Sequence, residues 1–302
     1  MRVRAGTAAR ERWRAPGNSG GVSPRLRADR ARALRVESAG PLGLRHPALV
    51  AFGMAVLVFL ALPLVVVVPI SFSAAKYLTF PPPGWSSQWY ERYFGSREWM
   101  TATWRSVQVA VLTTIAATVL GTAAAVGLRR RFRGKSLVTL IILAPMVVPV
   151  IIIAIGIYGL YARLQLVGTL HGLVMAHTVL ALPFVVVVVA ATLRGFDETL
   201  ELAAQNLGAN RWQTFRLIML PLIKPGVVSG ALLAFITSFD EVVVAIFVSG
   251  ARAPTLPKQM WDGIRTEIDP TVAAVSTLLV GVTTAVISTI ALVRRRAEED
   301  GP

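Results

Sequence analysis

Six apolar runs, each about 20 residues or more, constrain this chain most, because that is the length a helix needs to cross a bilayer. They lie at 48–70, 107–128, 137–161, 173–193, 227–248 and 272–293. Valine strings such as FVVVVVA would suit buried strands in a water-soluble fold. The runs are too long for that, and an open sheet cannot sit in lipid with unpaired edges. The residue balance agrees. Only 16% of the chain is charged and 54% is hydrophobic, where a soluble domain carries about a quarter charged residues. The expected fold class is therefore all-α: a polytopic membrane protein with six transmembrane helices. Pro63, Pro145, Pro149 and Pro183 fall inside the runs. Each removes a backbone hydrogen bond and is expected to kink its helix.

The net charge of +15 would suggest nucleic acid in a soluble protein. Here the basic residues sit between apolar runs, so they report orientation and no nucleic acid partner is expected. Most of the 31 Lys and Arg fall in 1–46, in RRRFRGK, in 194–225 and in the RRR after the last run. The positive-inside rule makes those segments cytoplasmic, with both termini inside. The expected organisation is a disordered Arg-rich tail at 1–46, a membrane domain at 47–296 and a short tail at 297–302. Glu11, Asp29 and Glu37 argue against a transit peptide, and the first apolar run is too long for a cleaved signal.

The outer segment 71–106 holds PPPGWSSQWYERYFGSREWM. Its aromatic residues suit an interfacial belt with a short amphipathic helix; a docking surface for an extracytoplasmic partner is the other reading. The chain has no cysteine, and its histidines are His46, His171 and His177. No metal or cofactor is expected. No Walker A loop or catalytic triad is found.

The longest inner segment contains ELAAQNLGANRWQTFRLIMLPLIKP at 201–225. Leu200, Ala203, Ala204 and Leu207 fall on one face of a short helix. Asp197 can cap its start, and Gly208 can take the left-handed conformation that ends it. Asn210 and Gln213 form a capping-box pattern for a second helix. Trp212, Phe215, Met219 and Leu222 make its apolar stripe, and Pro221 and Pro225 are expected to stop it. The segment reads as a helix–turn–helix elbow.

These residues resemble the cytoplasmic signature of permease subunits of type I ABC importers, the binding-protein-dependent family. Ala203, Ala204, Gly208, Ile218, Leu220 and Pro221 match it in spacing. Leu202 stands where the family has Glu, and Glu201 comes one residue earlier. That departure touches any salt bridge made by that Glu, not the elbow. The resemblance implies a transport subunit of the bacterial inner membrane and not an enzyme. It implies two cytoplasmic ATPase subunits that grip the elbows, a second permease subunit (a related heterodimer partner) and an extracytoplasmic solute-binding protein. ATP hydrolysis is then supplied in trans.

ITSFDEVVVAIFVSG places Asp240 and Glu241 inside the fifth run. A carboxylate there costs about 2.5–3.5 kcal/mol on insertion scales. The pair is either a structural ion pair or a cation site lining the pathway. The segment LPKQMWDGIRTEIDP is similar to the spermidine/putrescine permease subgroup, which implies a polyamine. Another solute remains open: an opine, an amino-acid-like amine or ferric iron. An intramembrane enzyme would need a convergent polar constellation, for which His177, Asp240 and Glu241 are the candidates. A non-catalytic assembly or signalling role conflicts with the elbow.

Overall fold

The structure is a computed structural model describing residues 47–250, 253–266 and 270–299. The expectations for 1–46 and 300–302 lie outside the described residues. The chain divides into two compact units at Leu62/Pro63. The first unit contributes the start of helix α1 (Pro47–Ser71); everything that follows belongs to the second.

After α1 come α2 (Gln88–Gly95), α3 (Arg97–Arg129), α4 (Lys135–Val147), α5 (Val150–Arg163) and α6 (Leu170–Leu193). The elbow supplies α7 (Glu198–Asn206) and α8 (Arg211–Thr214). A π turn at Phe215–Met219 joins α8 to α9 (Leu220–Phe239). The last elements are α10 (Val243–Val248), α11 (Leu256–Thr266) and α12 (Thr271–Glu299). The protein is all-α: among the described residues the only β feature is one bridge between Ser73 and Trp85. Four helices are long and apolar enough to cross a membrane: α1, α3, α6 and the continuous helix Arg211–Phe239. The sixth apolar run lies in α12, and that helix runs on to Glu299, into the stretch read from sequence as a tail.

The third run departs from a single helix. It forms α4 and α5, which meet at 108°. Pro149 has no N–H to continue the ladder, and its ring bars the preceding residue from helical backbone. Val148 is accordingly extended, at φ −72° and ψ 130°. Pro63 and Pro183, by contrast, lie within uninterrupted helices.

The core forms where α3, α6 and α9 cross. Ala117 and Ala125 of α3, Val185 and Val189 of α6, and Ile223 and Ala234 of α9 are all buried. Small residues allow this close approach, the usual device for helices packing in lipid. A Cβ at Gly226 would lie 2.1 Å from Thr192 Oγ1, and one at Gly121 would lie 2.8 Å from the Val185 side chain. A second cluster joins Val109, Leu173, Ala176, Val244 and Val248. There the Gly168 N–H donates to the Val248 carbonyl at 2.8 Å.

The aromatic segment 71–106 is folded against the bundle rather than laid wholly on a surface. Trp89 Nε1 donates to the Ser73 carbonyl at 2.7 Å. Tyr93 OH and Thr103 Oγ1 are 2.8 Å apart. Trp89, Tyr93 and Trp99 are buried, while Trp85, Phe94 and Trp104 stay exposed. The expected belt therefore divides, and only its exposed members are free for lipid or a partner.

Candidate functional sites

The elbow is built by local hydrogen bonds that its residues dictate. Asp197 Oδ1 accepts from the Thr199 N–H at 2.9 Å and caps α7. That bond, with one from the Thr199 side chain, holds the Asp197 carboxyl below its ordinary pKa. At the other end Gly208 has φ +88°. The Gly208 N–H reaches the Gln205 carbonyl and the Ala209 N–H reaches that of Ala204, both at 3.0 Å. This is the Schellman arrangement, which places a left-handed residue just past the helix end. Asn210 and Gln213 then form a reciprocal capping box, with bonds of 2.8 and 2.9 Å.

Three expectations for the elbow change. The face read as Leu200, Ala203, Ala204 and Leu207 is split: Ala204 is buried, whereas Leu200, Ala203 and Leu207 are exposed, Leu207 at 89%. Short α7 meets the bundle with Ala204 and Glu201 instead. The second helix is not stopped by its prolines. It continues as one helix to Phe239. Pro221 has no N–H to offer the Leu217 carbonyl, and the preceding turn widens so that the Leu220 N–H bonds to the Phe215 carbonyl. That widening also breaks the expected stripe. Met219 is buried and Phe215 partly so, but Trp212 and Leu222 are exposed. Ile218 and Leu220 are half-buried, and Pro221 is exposed.

One residue of the elbow's surroundings was not foreseen. Arg129, the last residue of α3, reaches Glu198 at 3.1 Å and Glu201 at 3.3 Å. Its guanidinium also lies 5.1 Å from the centre of the Phe196 ring. Adjacent helix positions are about 100° apart. Glu201 therefore turns inward to Arg129, while Leu202 beside it is 60% exposed.

The acidic pair is also placed differently. The fifth run breaks after Phe239, so Asp240 and Glu241 sit between α9 and α10 rather than inside a helix. Glu241 Oε1 accepts from the Val244 N–H at 2.9 Å and thereby caps α10. Asp240 is exposed. It lines a cleft of about 790 Å³ with Phe235, Phe239, Met260 and Trp261. The Phe235 and Phe239 rings stack 5.8 Å apart. His177 is buried, with Nδ1 3.0 Å from Ser238 Oγ. It ties α6 to the last turn of α9 and joins neither carboxylate among the described contacts. Ser238 and His177 are within hydrogen-bond reach, but both are buried and, among the described residues, no third protein group orients the imidazole through Nε2; no group of three or more potential metal ligands occurs among the described residues.

The fold and site define a helical membrane protein with a small-residue core and a capped polar elbow. Residues 117–298 match the family described as binding-protein-dependent transport system inner membrane component, and the chain belongs to it. Over 248 residues it is 35% identical to the spermidine/putrescine transport system permease protein PotC of Haemophilus influenzae, covering 82% of this chain and 96% of that one. Over 231 residues it is 37% identical to the putrescine transport system permease protein PotI of Escherichia coli, covering 74% and 82%. The fold resembles that of a bacterial ABC transporter involved in the import of the acidic polysaccharide alginate. That match has a TM-score of 0.62 at 17% identity and covers 84% of this chain and 99% of that one. The chain is thus a multi-pass inner-membrane permease subunit of an ABC importer and not an enzyme.

Proposed function

We propose that this permease forms, with a related second permease, the membrane pathway for a polyamine such as putrescine or spermidine. An extracytoplasmic binding protein delivers the solute. Two ATPase subunits grip the elbows of the two permeases, the one in this chain being residues 194–225 with contacts at Ala203, Ala204, Gly208, Ile218, Leu220 and Pro221. In this reading the elbow and both termini are cytoplasmic, as the basic residues argue. The exposed Leu200, Leu202 and Leu207 offer the ATPase an apolar surface.

The observation that carries the substrate reading is the Asp240 cleft. A linear amine has cationic ends and an aliphatic middle. Asp240 can take an ammonium, while Phe235, Phe239 and Trp261 give methylene groups an apolar wall and cations a π face. Glu241 keeps the break in shape by capping α10, a structural role other than the ion pair read from sequence. The sequence kinship to spermidine and putrescine permeases supports the same solute class.

The test is uptake by the complete importer in proteoliposomes with its binding protein. ATP-dependent accumulation of labelled putrescine or spermidine is expected. Uptake of an opine, an amino acid or ferric iron with neither amine accepted would overturn the polyamine reading. A thermal-shift screen of the binding protein over the same solutes gives an independent answer.

A further inference from the structure

The elbow has two arms. The second, α8, is continuous through the π turn with α9, so its tie to the membrane domain is the helix itself. The first arm, α7, hangs from α6 by the connector 194–197, and its buried apolar contact is Ala204 alone. We infer that Arg129 clamps α7 to the end of α3, so that the first arm of the elbow and α3 move as one body when the elbow is pulled. This rests on the reading of the elbow as the ATPase contact.

The geometry argues for a clamp rather than a casual surface pair. A single guanidinium touches three parts of the elbow. Nη1 and Nη2 both reach Glu201 Oε2 at 3.3 Å, and Nη2 reaches Glu198 Oε1 at 3.1 Å. Phe196 of the connector supplies its ring. Met219, at the head of α9, places its sulfur 3.9 Å from Nη1. The Arg129 side chain is only 19% exposed and that of Glu201 22%, so water screens this pair less than an open one. Arg129 ends α3, where the unpaired carbonyls of the last turn favour a cation. A planar fork that lies over a ring and serves two carboxylates is a task for arginine, and lysine cannot reproduce it. The next residues, Arg130 and Arg131, are respectively exposed and exposed, which sets Arg129 apart from the ordinary basic run. Without the clamp, a pull on α7 would reach α3 indirectly: through the four-residue connector to α6, through Ala204, or through the Gly208 turn into α8 and α9.

The chain has no cysteine, so two can be introduced cleanly. Gly127 and Gln205 are exposed, and a Cβ at Gly127 meets nothing within 4 Å. Spin labels at these two sites, in the complete importer, report the α3–α7 distance by pulsed dipolar spectroscopy. The expected result is one narrow distance, unchanged between nucleotide-free and ATP-trapped states. Arg129→Gln should broaden it and make it state-dependent. Uptake should fall about tenfold, a typical scale for coupling between sites, with ATP hydrolysis falling less. Reversing the charges, Arg129→Glu with Glu198→Arg and Glu201→Arg, should restore part of the uptake. A distance that changes with nucleotide in the unmodified importer overturns the inference, as does Arg129→Gln uptake within twofold of normal. If Arg129→Gln fails to assemble, Arg129→Lys decides: assembly with reduced uptake supports the clamp, and full uptake overturns it. Failure of the ATPase to co-purify with the unmodified permease would sink the elbow reading itself, before any distance is measured.

Discussion

Asp240 and Glu241 are neighbours with different employment, and single substitutions should separate them. Asp240→Asn keeps shape and removes charge from an exposed cleft residue. Normal yield with a severe loss of polyamine uptake is expected. Glu241→Gln retains an oxygen for the Val244 N–H and should lose little. Glu241→Ala removes the cap, which typically costs about 1 kcal/mol, and should lower the melting temperature more than Glu241→Gln does. Yield, melting and uptake on the same preparation decide it; uptake at wild-type level in Asp240→Asn would end the cation-site reading. Gly208→Val puts a β-branched side chain at φ +88°, a strain on the order of 1–3 kcal/mol. The turn should open and ATPase co-purification should weaken. Retention of the ATPase at the normal level would show that the turn is not needed. At this scale the sequence was readable where a side chain bonds to backbone two or three residues away, as at Asp197 and Asn210, and where a turn needs a positive φ, as at Gly208. It was not readable at Asp240. Residue type marks FDEVVV as a costly spot in an apolar run, but not that the helix stops there, because the stop depends on Glu241 turning toward the Val244 N–H.

Among the elements, packing of α6 against α9 depends on Gly226 lying over Thr192. Adding a methyl there forces a contact at 2.1 Å, and overpacking of this kind typically costs about 1–3 kcal/mol. Gly226→Ala should lower the melting temperature of the purified permease, and combining it with Thr192→Gly should recover part of the loss. If the two effects simply add, the contact is not the cause. The apolar runs announced where helices occur, since about 20 consecutive apolar residues leave few alternatives. They did not announce continuity. The prolines illustrate why: Pro149 ends α4, Pro183 passes unnoticed through α6, and Pro221 is absorbed by a π turn. The outcome depends on which neighbours satisfy the freed carbonyls, and those lie elsewhere in the chain. Arg129 was hidden for the same reason. It belongs by sequence to the basic run RRRFRGK, and its partners lie 69 and 72 residues away.

For the whole molecule, the proposed orientation rests on the basic residues and can be checked directly. Cysteines at Gly134 and Gly208 should be shielded from an impermeant thiol reagent in intact cells, and one at Ser87 should react. All three positions are exposed on the protein surface, so shielding reports the membrane side and not burial. Labelling of either glycine from outside would invert the molecule. The continuous helix from Arg211 to Phe239 then acquires a mechanical meaning. It holds 29 residues and is about 43 Å long at 1.5 Å per residue. One end is the elbow and the other abuts Asp240. Tilting such a rod by roughly 5° about either end carries the opposite end through roughly 4 Å. That stroke matches a whole van der Waals contact distance of about 3.5–4.0 Å, so a small rotation at the elbow is enough to change what Asp240 can touch.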